Sequence, residues 1–288
     1  MSLRYLTAGE SHGPALTAIL DGMPAGLALD KGHINLDLTR RQKGFGSGKR
    51  MQIEKDSIQI LSGVMAGETT GGPIALLVEN SDHIKWKGNL IDPMTAPRPG
   101  HADFTGALKY GYKDLRPSLE RASARETTMR VAIGAICKHF LSQFGIVIGG
   151  YVRSIGNVEA HLIGDDHMAV FEAAEQNDIR CPDPQAVEEM RALIQDSMDR
   201  KDTLGGIIEV FALNVPVGLG SFIQMDRRLD ARLAQAIMSV PAIKGLEIGN
   251  AIENTRLPGT KAHDPIQMDG KRIVRPTNRA GGIEGGIS

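Results

Sequence analysis

The chain is poor in cysteine and has no long apolar run. Cys137 and Cys181 are its two cysteines. They have neither paired nor metal-ligand spacing, so they predict reduced thiols, no disulfide framework and no metal site. No window holds eighteen consecutive apolar residues, and the N-terminus lacks the apolar stretch of a secretory signal. We therefore expect a cytoplasmic protein without a membrane partner.

Net charge is also nearly absent. The 33 Lys and Arg residues are balanced by 34 Asp and Glu residues, which argues against a nucleic-acid partner held by bulk electrostatics. Charge is concentrated locally instead, because RRQKGFGSGKR, residues 40–50, is basic and contains no acid. This stretch favours a pocket for a ligand with several negative charges, although a solvated basic face would give the same pattern.

The chain does contain strand-like and helix-like segments bounded by glycine, proline or asparagine. Strands are predicted in ALTAILDGMPAG, QIL, PIALLVEN, GIVIGGYV and GGIIEVFALNVPVG. A core helix is predicted in LERASARETTMRVAIGAICKHFLSQFG. A surface helix is predicted to begin at the cap-like Asp183, with Pro184 in the first helical position. A third helix, which packs one face inward, is predicted in MDRRLDARLAQAIMSV. Since no linker interrupts them, we predict a single α+β domain over residues 1–288.

The stretch GESHG, residues 9–13, fits the G-x-S-x-G pattern of the serine nucleophile in α/β-hydrolases. That serine sits on a turn between a central strand and a helix, with several strands before it. Only eight residues precede Gly9 here, and a strand-like segment follows. A serine hydrolase is therefore disfavoured, and His12 is the residue to explain, as a catalytic group or as a solvated or structurally hydrogen-bonded histidine.

His101 is a second candidate. It follows a Pro99-Gly100 turn and precedes Asp103, which predicts a ring held on a short rigid loop with a carboxylate close to it.

Two arginines, Arg121 and Arg125, are spaced four apart and are predicted to project from one side of the long helix near its N-terminal end. A bound anion would satisfy both guanidinium groups and the free helix N–H groups. Alternatively, Glu120 and Glu126 would neutralise them in a purely structural arrangement.

Five segments in order resemble chorismate synthase: YLTAGESHGPALT, RRQKGFGSGKRMQIE, RPGHADFTGALKYG, LERASARETT and NRAGGIEGG. The similarity runs from Arg4 to Ser288. It implies that GESHG is an active-site loop whose histidine is a general acid and whose serine is no acyl nucleophile. It also implies an α+β fold with helices sandwiched between antiparallel sheets, and a homotetramer.

The activity implied is that of a carbon–oxygen lyase in the shikimate pathway to aromatic amino acids. 5-Enolpyruvylshikimate 3-phosphate loses phosphate and a ring proton by anti-1,4-elimination and becomes chorismate. Reduced FMN is required without net redox change, and the sequence leaves open whether NADPH or an outside reductase reduces the flavin. The alternative is a non-catalytic flavin- or anion-binding homologue, or an inactive fragment.

Matching the motifs residue by residue implies a set of roles. His12 would protonate the departing phosphate, and His101 would stabilise charge that builds on the flavin. The implied substrate-binding residues are Arg41, Arg50, Arg98 and Arg125. The implied flavin contacts are Arg121, Ala122, Ser123, Ala242 and Gly285.

Two departures from the family pattern bear on these expectations. Ser47 stands where the family usually has an arginine in the basic loop, with Lys49 nearby, so the sequence leaves one substrate contact open. The family continues past GGIEGGIS through a segment with flavin-phosphate contacts and an aspartate that helps proton transfer. We therefore expect the domain to be truncated at its C-terminus.

Overall fold

A computed structural model of the chain describes residues 3–48, 50–89, 91–162, 164 and 166–288. The chain forms two compact units, an N-terminal unit of residues 1–213 and a C-terminal unit of residues 214–288. Within the described ranges, no helix is both long and apolar enough to cross a membrane.

The N-terminal unit is built from runs of strands and runs of helices that follow one another along the chain. Its strands are β1 (Arg4–Ala8), β2 (Ala15–Asp21), β3 (Gln59–Ser62), β4 (Val64–Met65), β5 (Glu68–Thr69), β6 (Ile74–Glu79), β7 (Val147–Ile155), β8 (Val158–Glu159) and β9 (Gly206–Leu213). Its α-helices are α1 (Lys31–Gln42), α2 (Arg50–Ile53), α3 (Asp103–Tyr110), α4 (Arg116–Arg121), α5 (Thr127–Ser142), α6 (His167–Ala174) and α7 (Pro184–Asp199). Single 3-10 turns span Ser81–Lys85 and Ala124–Glu126.

Two antiparallel sheets enclose a helical layer. Among the described strands, the order is β1-β2-β6-β3 in one sheet and β8-β7-β9 in the other. Helix α5 contacts α1 and strands of both sheets, β2, β6 and β7. The apolar periodicity explains this placement, since an apolar helix surface must be covered on several sides.

Alternation of side chains sets the main core. On β2 the alternate residues Leu16, Ala18 and Leu20 are buried, while the residues between them face away. The inward residues of β6 and the apolar residues of α1 and α5 complete this core. The second sheet packs against α6 and α7. There, a Cβ on Gly149 would lie 2.3 Å from the ring of Phe211, so glycine lets that ring cover the strand.

The strand predictions are confirmed, and so is the helix that begins at Pro184. Asp183 caps this helix by accepting hydrogen bonds from the N–H groups of Gln185 and Ala186.

The prediction of one continuous helix before Gly145 is wrong. It is divided into α4, a 3-10 turn and α5, because Ser123 adopts an extended backbone and its hydroxyl accepts from the N–H of Arg125. The sequence carries a signal for this break, since Ser123 and Glu126 have the S-x-x-E spacing of a helix start.

The C-terminal unit contains α8 (Leu229–Met238), α9 (Ala251–Asn254), α10 (Gly259–Ala262) and the hairpin β10 (Gln267–Asp269) and β11 (Arg272–Val274). A 3-10 turn at Met225–Arg227 precedes α8. None of the residues of α8 is fully buried. Of the apolar residues that predict an inward face, Leu229 and Ile237 are half-buried, whereas Leu233 and Val240 are exposed, so inward packing of α8 stays a prediction. An apolar periodicity shows that a helix has an apolar face, but it does not show what covers that face. The assignment of residues 1–288 to one domain stays a prediction.

Helix α1 offers a matched test of this packing. Leu38 is fully buried in the main core, whereas Leu36 on the same helix is 68% exposed. We predict that Leu38→Ala lowers the free energy of unfolding by about 2–5 kcal/mol, because it leaves a cavity. Leu36→Ala should change it by less than about 0.5 kcal/mol. Denaturant unfolding measures both, and equal effects would contradict the assigned orientation of α1.

Candidate active site

The GESHG loop joins two neighbouring antiparallel strands, β1 and β2. Gly9 has φ +112°, and a Cβ there would lie 2.6 Å from the carbonyl oxygen of Ala15, so the loop requires glycine at this point. Ser11 is buried, and its hydroxyl accepts a 3.0 Å hydrogen bond from the hydroxyl of Ser123. A buried serine in a hairpin loop is not the exposed strand-to-helix nucleophile of a hydrolase, which excludes that hypothesis.

His12 is clamped on two sides. Its Nδ1 lies 2.8 Å from one oxygen of Glu120, and its backbone N–H donates to the other oxygen, also at 2.8 Å. The ring packs on Trp86 with 4.2 Å between ring centroids. Since a carboxylate only accepts, Nδ1 carries a proton and Nε2 is the ring nitrogen directed to a ligand.

The backbone of this loop is held as well. The Nδ1 of His83 lies 2.8 Å from the carbonyl oxygen of His12. Asn80 donates from Nδ2 to the carbonyl oxygens of Gly13, at 2.9 Å, and Glu10, at 3.2 Å. Both partners belong to the segment at and after the end of β6, so the fold fixes the loop from the neighbouring strand.

Arg125 is buried, and its guanidinium is held by acceptors of the protein. Its Nη1 donates to Asp56 Oδ1 at 2.6 Å and its Nε donates to Asn80 Oδ1 at 2.9 Å. Glu54 Oε2 lies 3.6 Å from Nη2, and the hydroxyl of Thr128 lies 3.4 Å from Nη1. In this arrangement a direct contact with a substrate anion requires Arg125 to exchange one of these partners.

Arg41 shares a carboxylate with Arg125. From the last turn of α1 it donates to Asp56 Oδ2, to the hydroxyl of Thr127 and to the carbonyl of Ala124, each at 3.3 Å. Asp56 thus bridges two guanidinium groups inside the protein. The bond from Arg41 to Asp56 is longer than the 2.6 Å bond from Arg125 to the same carboxylate.

The prediction that Arg121 and Arg125 project from one side of a helix is wrong. Arg121 ends α4, is 46% exposed, and donates to the carbonyl and hydroxyl of Thr7 at 2.9 Å. Arg125 lies beyond the helix break and points into the core. The two glutamates that were expected to neutralise these arginines have different partners. Glu120 binds His12, whereas Glu126 lies 4.0 Å from Arg121 and accepts from Arg130.

Arg98 and His101 form a cluster of their own on loop 98–103. Both oxygens of the fully buried Asp103 accept from Arg98, at 2.8 and 3.0 Å. His101 is exposed, and its Nδ1 lies 2.9 Å from the carbonyl oxygen of Pro99. The carboxylate of Asp103, which was expected close to the His101 ring, binds Arg98 instead. The ring of His101 is oriented by the backbone carbonyl of Pro99. The Arg98 hydrogen bonds lower the pKa of Asp103.

The remaining residues of the basic stretch lie apart from these contacts. Arg40 donates from Nε to Glu175 at 2.7 Å, so its charge is neutralised within the fold. Ser47 is exposed beside Gly44, whose carbonyl accepts its N–H. Arg50 begins α2, but its side chain lies outside the described residues, as does Lys49.

Within the N-terminal unit, shared partners bring His12, Arg41, Arg121, Ser123 and Arg125 together around the GESHG loop. Ala122 directly follows Arg121 and is the C-cap of α4. The sequence did not predict how this group is held, by Glu54, Asp56, Asn80, Trp86 and Glu120. Glu54 and Glu120 lie in two of the quoted motifs, but their partners lie in other elements of the fold.

The other two expected flavin contacts lie in the C-terminal unit. Ala242 has φ +71°, a left-handed backbone that a non-glycine residue rarely adopts. Gly285 lines a cavity of about 420 Å³ together with residues of loops around Asp264. Burial opposes ionisation of Asp264, but hydrogen bonds from Thr277 and two backbone N–H groups outweigh it and lower the pKa of this carboxyl.

Comparisons with known proteins identify the family and the fold. A sequence model of one family, chorismate synthase, matches residues 3–288. The chain belongs to the chorismate synthase family. Similar relatives include the chorismate synthases of Aquifex aeolicus, 51% identical over 99% of this chain and 76% of the relative, and of Geobacter metallireducens, 49% identical over 99% and 77%. A crystal structure of chorismate synthase superimposes with a TM-score of 0.85 at 47% identity, covering 100% of this chain and 80% of that one.

Membership of the chorismate synthase family confirms the resemblance seen in the sequence, and the structural match confirms the α+β class with helices between antiparallel sheets. Within the described residues, no group of three or more His, Cys, Asp or Glu side chains is arranged to hold a metal ion.

Arg125 should be necessary to the fold itself. We predict that Arg125→Ala lowers the free energy of unfolding by about 3–5 kcal/mol, because the buried carboxylates of Asp56 and Glu54 would both lose their contact with its guanidinium. The control Arg200→Ala removes an exposed pair with Asp196 and should cost less than about 1 kcal/mol. Denaturant unfolding compares the two variants. A small loss in Arg125→Ala would show that the buried carboxylates find other partners.

The Arg98–Asp103 pair predicts a pH dependence. The pKa of Asp103 is lower in the folded chain than its ordinary value, so its ionisation stabilises the fold above about pH 4 and that contribution is lost as the pH falls through the folded pKa. The difference in unfolding free energy between wild type and Asp103→Asn should therefore shrink between about pH 5 and about pH 3. Denaturant titrations measure it, with the exposed Asp92→Asn as control. A difference that stays constant with pH would refute the pairing.

Proposed function

We propose that this chain is a carbon–oxygen lyase that converts 5-enolpyruvylshikimate 3-phosphate into chorismate and phosphate, in the presence of reduced FMN. Family membership over residues 3–288 supports this activity. The observation that carries it in the structure is His12, held by Glu120 through both Nδ1 and the backbone N–H beside a cluster of arginines. Aromatic amino acid biosynthesis is the pathway proposed with it.

His12 is suited to deliver a proton to the departing phosphate. As an imidazolium it carries a proton on both ring nitrogens, and Nε2 gives its proton to a phosphate oxygen while the C–O bond breaks. The product is the neutral ring with its proton on Nδ1, which is the tautomer that Glu120 accepts from. Glu120 therefore supports the ring before and after the transfer without moving.

Cationic side chains are proposed to hold the phosphate and carboxylates of the substrate. Arg41, Arg50 and Arg98 are the proposed direct contacts, because guanidinium groups bind oxyanions through paired hydrogen bonds. Arg125 is proposed to support the site from within the core, through Asp56 and Asn80.

The residues at the end of α4 fit a flavin. Arg121 presents a half-exposed guanidinium, which is a donor suited to an electron-rich, anionic ring system. The hydroxyl of Ser123 donates to Ser11 and so ties the end of α4 to the GESHG loop. When bound, reduced FMN supplies electron density to the substrate ring. We propose Arg121, Ala122 and Ser123 as its contacts in the N-terminal unit, and Ala242 and Gly285 as contacts carried by the C-terminal unit.

His101 is proposed to face the flavin. Its Nδ1 is engaged by the carbonyl of Pro99, so the imidazolium form donates from Nε2. Such a donor stabilises negative charge at the atom that it faces.

A homotetramer is proposed from the resemblance, and the second sheet supports association between copies. In its described part, β9 is an edge strand, and Ile207, Ile208 and Val210 on it are each more than 60% exposed. An apolar edge strand is a surface that another chain covers readily. NADPH as flavin reductant is proposed from the resemblance alone, and a cytoplasmic location is proposed from the sequence features given above.

The test is an anaerobic assay of chorismate and phosphate with purified protein and chemically reduced FMN. We expect turnover, and a fall of about two to four orders of magnitude in His12→Ala and in His101→Ala, because each removes a group that acts in proton transfer or charge stabilisation. His161→Ala, at an exposed loop histidine, is the matched control and should retain activity.

The outcomes separate the proposals. Flavin binding without product would favour the non-catalytic homologue. Product formation with near-normal rates in both histidine variants would refute their assigned roles while leaving the activity in place.

A further inference from the structure

Asn80 connects the buried ion cluster to the GESHG loop. It directly follows β6, is 4% exposed, and its backbone N–H donates to the carbonyl of Pro14 at 3.0 Å. Its side chain lies between Arg125 on one side and the carbonyls of Glu10 and Gly13 on the other. Each polar atom of this side chain is therefore engaged.

The partners determine the orientation of the amide. Arg125 Nε only donates, so the amide oxygen of Asn80 must face it. The two backbone carbonyls only accept, so the NH₂ group must face them. An aspartate at this position would keep the contact with Arg125 and lose both contacts with the carbonyls of Glu10 and Gly13. The Asn80→Asp substitution therefore separates the bond to the ion cluster from the bonds to the loop.

We propose that Asn80 is a positioning residue for the elimination, which holds His12 at the substrate by fixing the loop on both sides of it. This inference rests on the proposed role of His12. The carbonyls of Glu10 and Gly13 bracket Ser11 and His12, and the N–H of Gly13 also closes back onto the carbonyl of Glu10 at 3.2 Å. Anchoring these two carbonyls therefore fixes the short segment from which the His12 ring projects.

The anchor is itself rigid. The amide oxygen of Asn80 is bonded to Arg125, which is held by Asp56 and Glu54 inside the protein. Glu54 also accepts the N–H of Ser81, the next residue after Asn80, at 2.8 Å. The loop is thus tied to a buried charge network rather than to a mobile surface group. Misplacing a catalytic group by about 1 Å costs on the order of a hundredfold in rate.

The test is Asn80→Asp in the full chain, assayed with reduced FMN. We expect kcat to fall by about ten- to a hundredfold, and KM to stay within about twofold because the proposed substrate arginines lie on other elements.

The matched control is Asn177→Asp. Asn177 likewise accepts with its side-chain oxygen, from the N–H groups of Ile179 and Cys181, and donates to a backbone carbonyl, that of Cys181. Asn177→Asp loses the same kind of hydrogen bond in the segment between α6 and α7, away from the GESHG loop, so kcat should stay at the wild-type value.

Trp86 gives a second readout that does not depend on turnover. It is the only tryptophan in the chain, and its ring packs on His12. Release of the loop in Asn80→Asp should change the tryptophan fluorescence of the purified protein, and Asn177→Asp should leave it unchanged.

A double variant shows whether Asn80 acts through His12. In a His12→Ala background, Asn80→Asp should lower kcat by less than about twofold, because the group that it positions is already gone. The inference would be overturned if the effects of the two substitutions on kcat were fully additive. It would also be overturned if Asn80→Asp alone left kcat or the fluorescence unchanged, or if Asn177→Asp lowered kcat equally. Normal turnover in His12→Ala would instead overturn the proposed role of His12. If Asn80→Asp does not fold, Asn80→Ser is measured with the same outcomes.

Discussion

The buried pair of Arg125 and Asp56 is the interaction on which the N-terminal unit depends. Removing one member of such a pair leaves an uncompensated charge in the interior, so the two side chains constrain each other strongly even where the pair adds little net stability. Asp56 also binds Arg41 on α1, and Arg125 binds Asn80 at the end of β6. Helix α1, strand β6 and the start of α5 therefore meet at one set of charges.

This charge network distinguishes the two candidate catalytic histidines. His12 belongs to a hairpin loop whose backbone is bonded to Asn80 and His83 and whose ring is bonded to Glu120. His101 is exposed on a loop in which the buried ion pair is made by its neighbours, Arg98 and Asp103. A general acid must be placed accurately relative to the leaving group, which agrees with the firmer support of His12.

Much of the fold could be predicted from the sequence where neighbouring residues decide the structure. Strand-like patterns predicted β2, β3, β6, β7 and β9 but not β1 or β8, and Asp183-Pro184 predicted the start of α7. The division between α4 and α5 was missed because the apolar period continues through it, although Ser123 and Glu126 carry the spacing of a helix start. The apolar pattern of α8 gave no information on its burial.

The sequence by itself determined the family, five of the strands and the helix that begins at Pro184, and it nominated two histidines and several arginines as candidates, because these are properties of residue type and local spacing. The tertiary structure alone decided which charges meet. Arg125 turned inward to Asp56, and Glu120 bound His12 across 108 positions of the chain. Electrostatic and hydrogen-bonding partners are selected by distance in space, and folding brings together residues whose separation along the chain carries no signal.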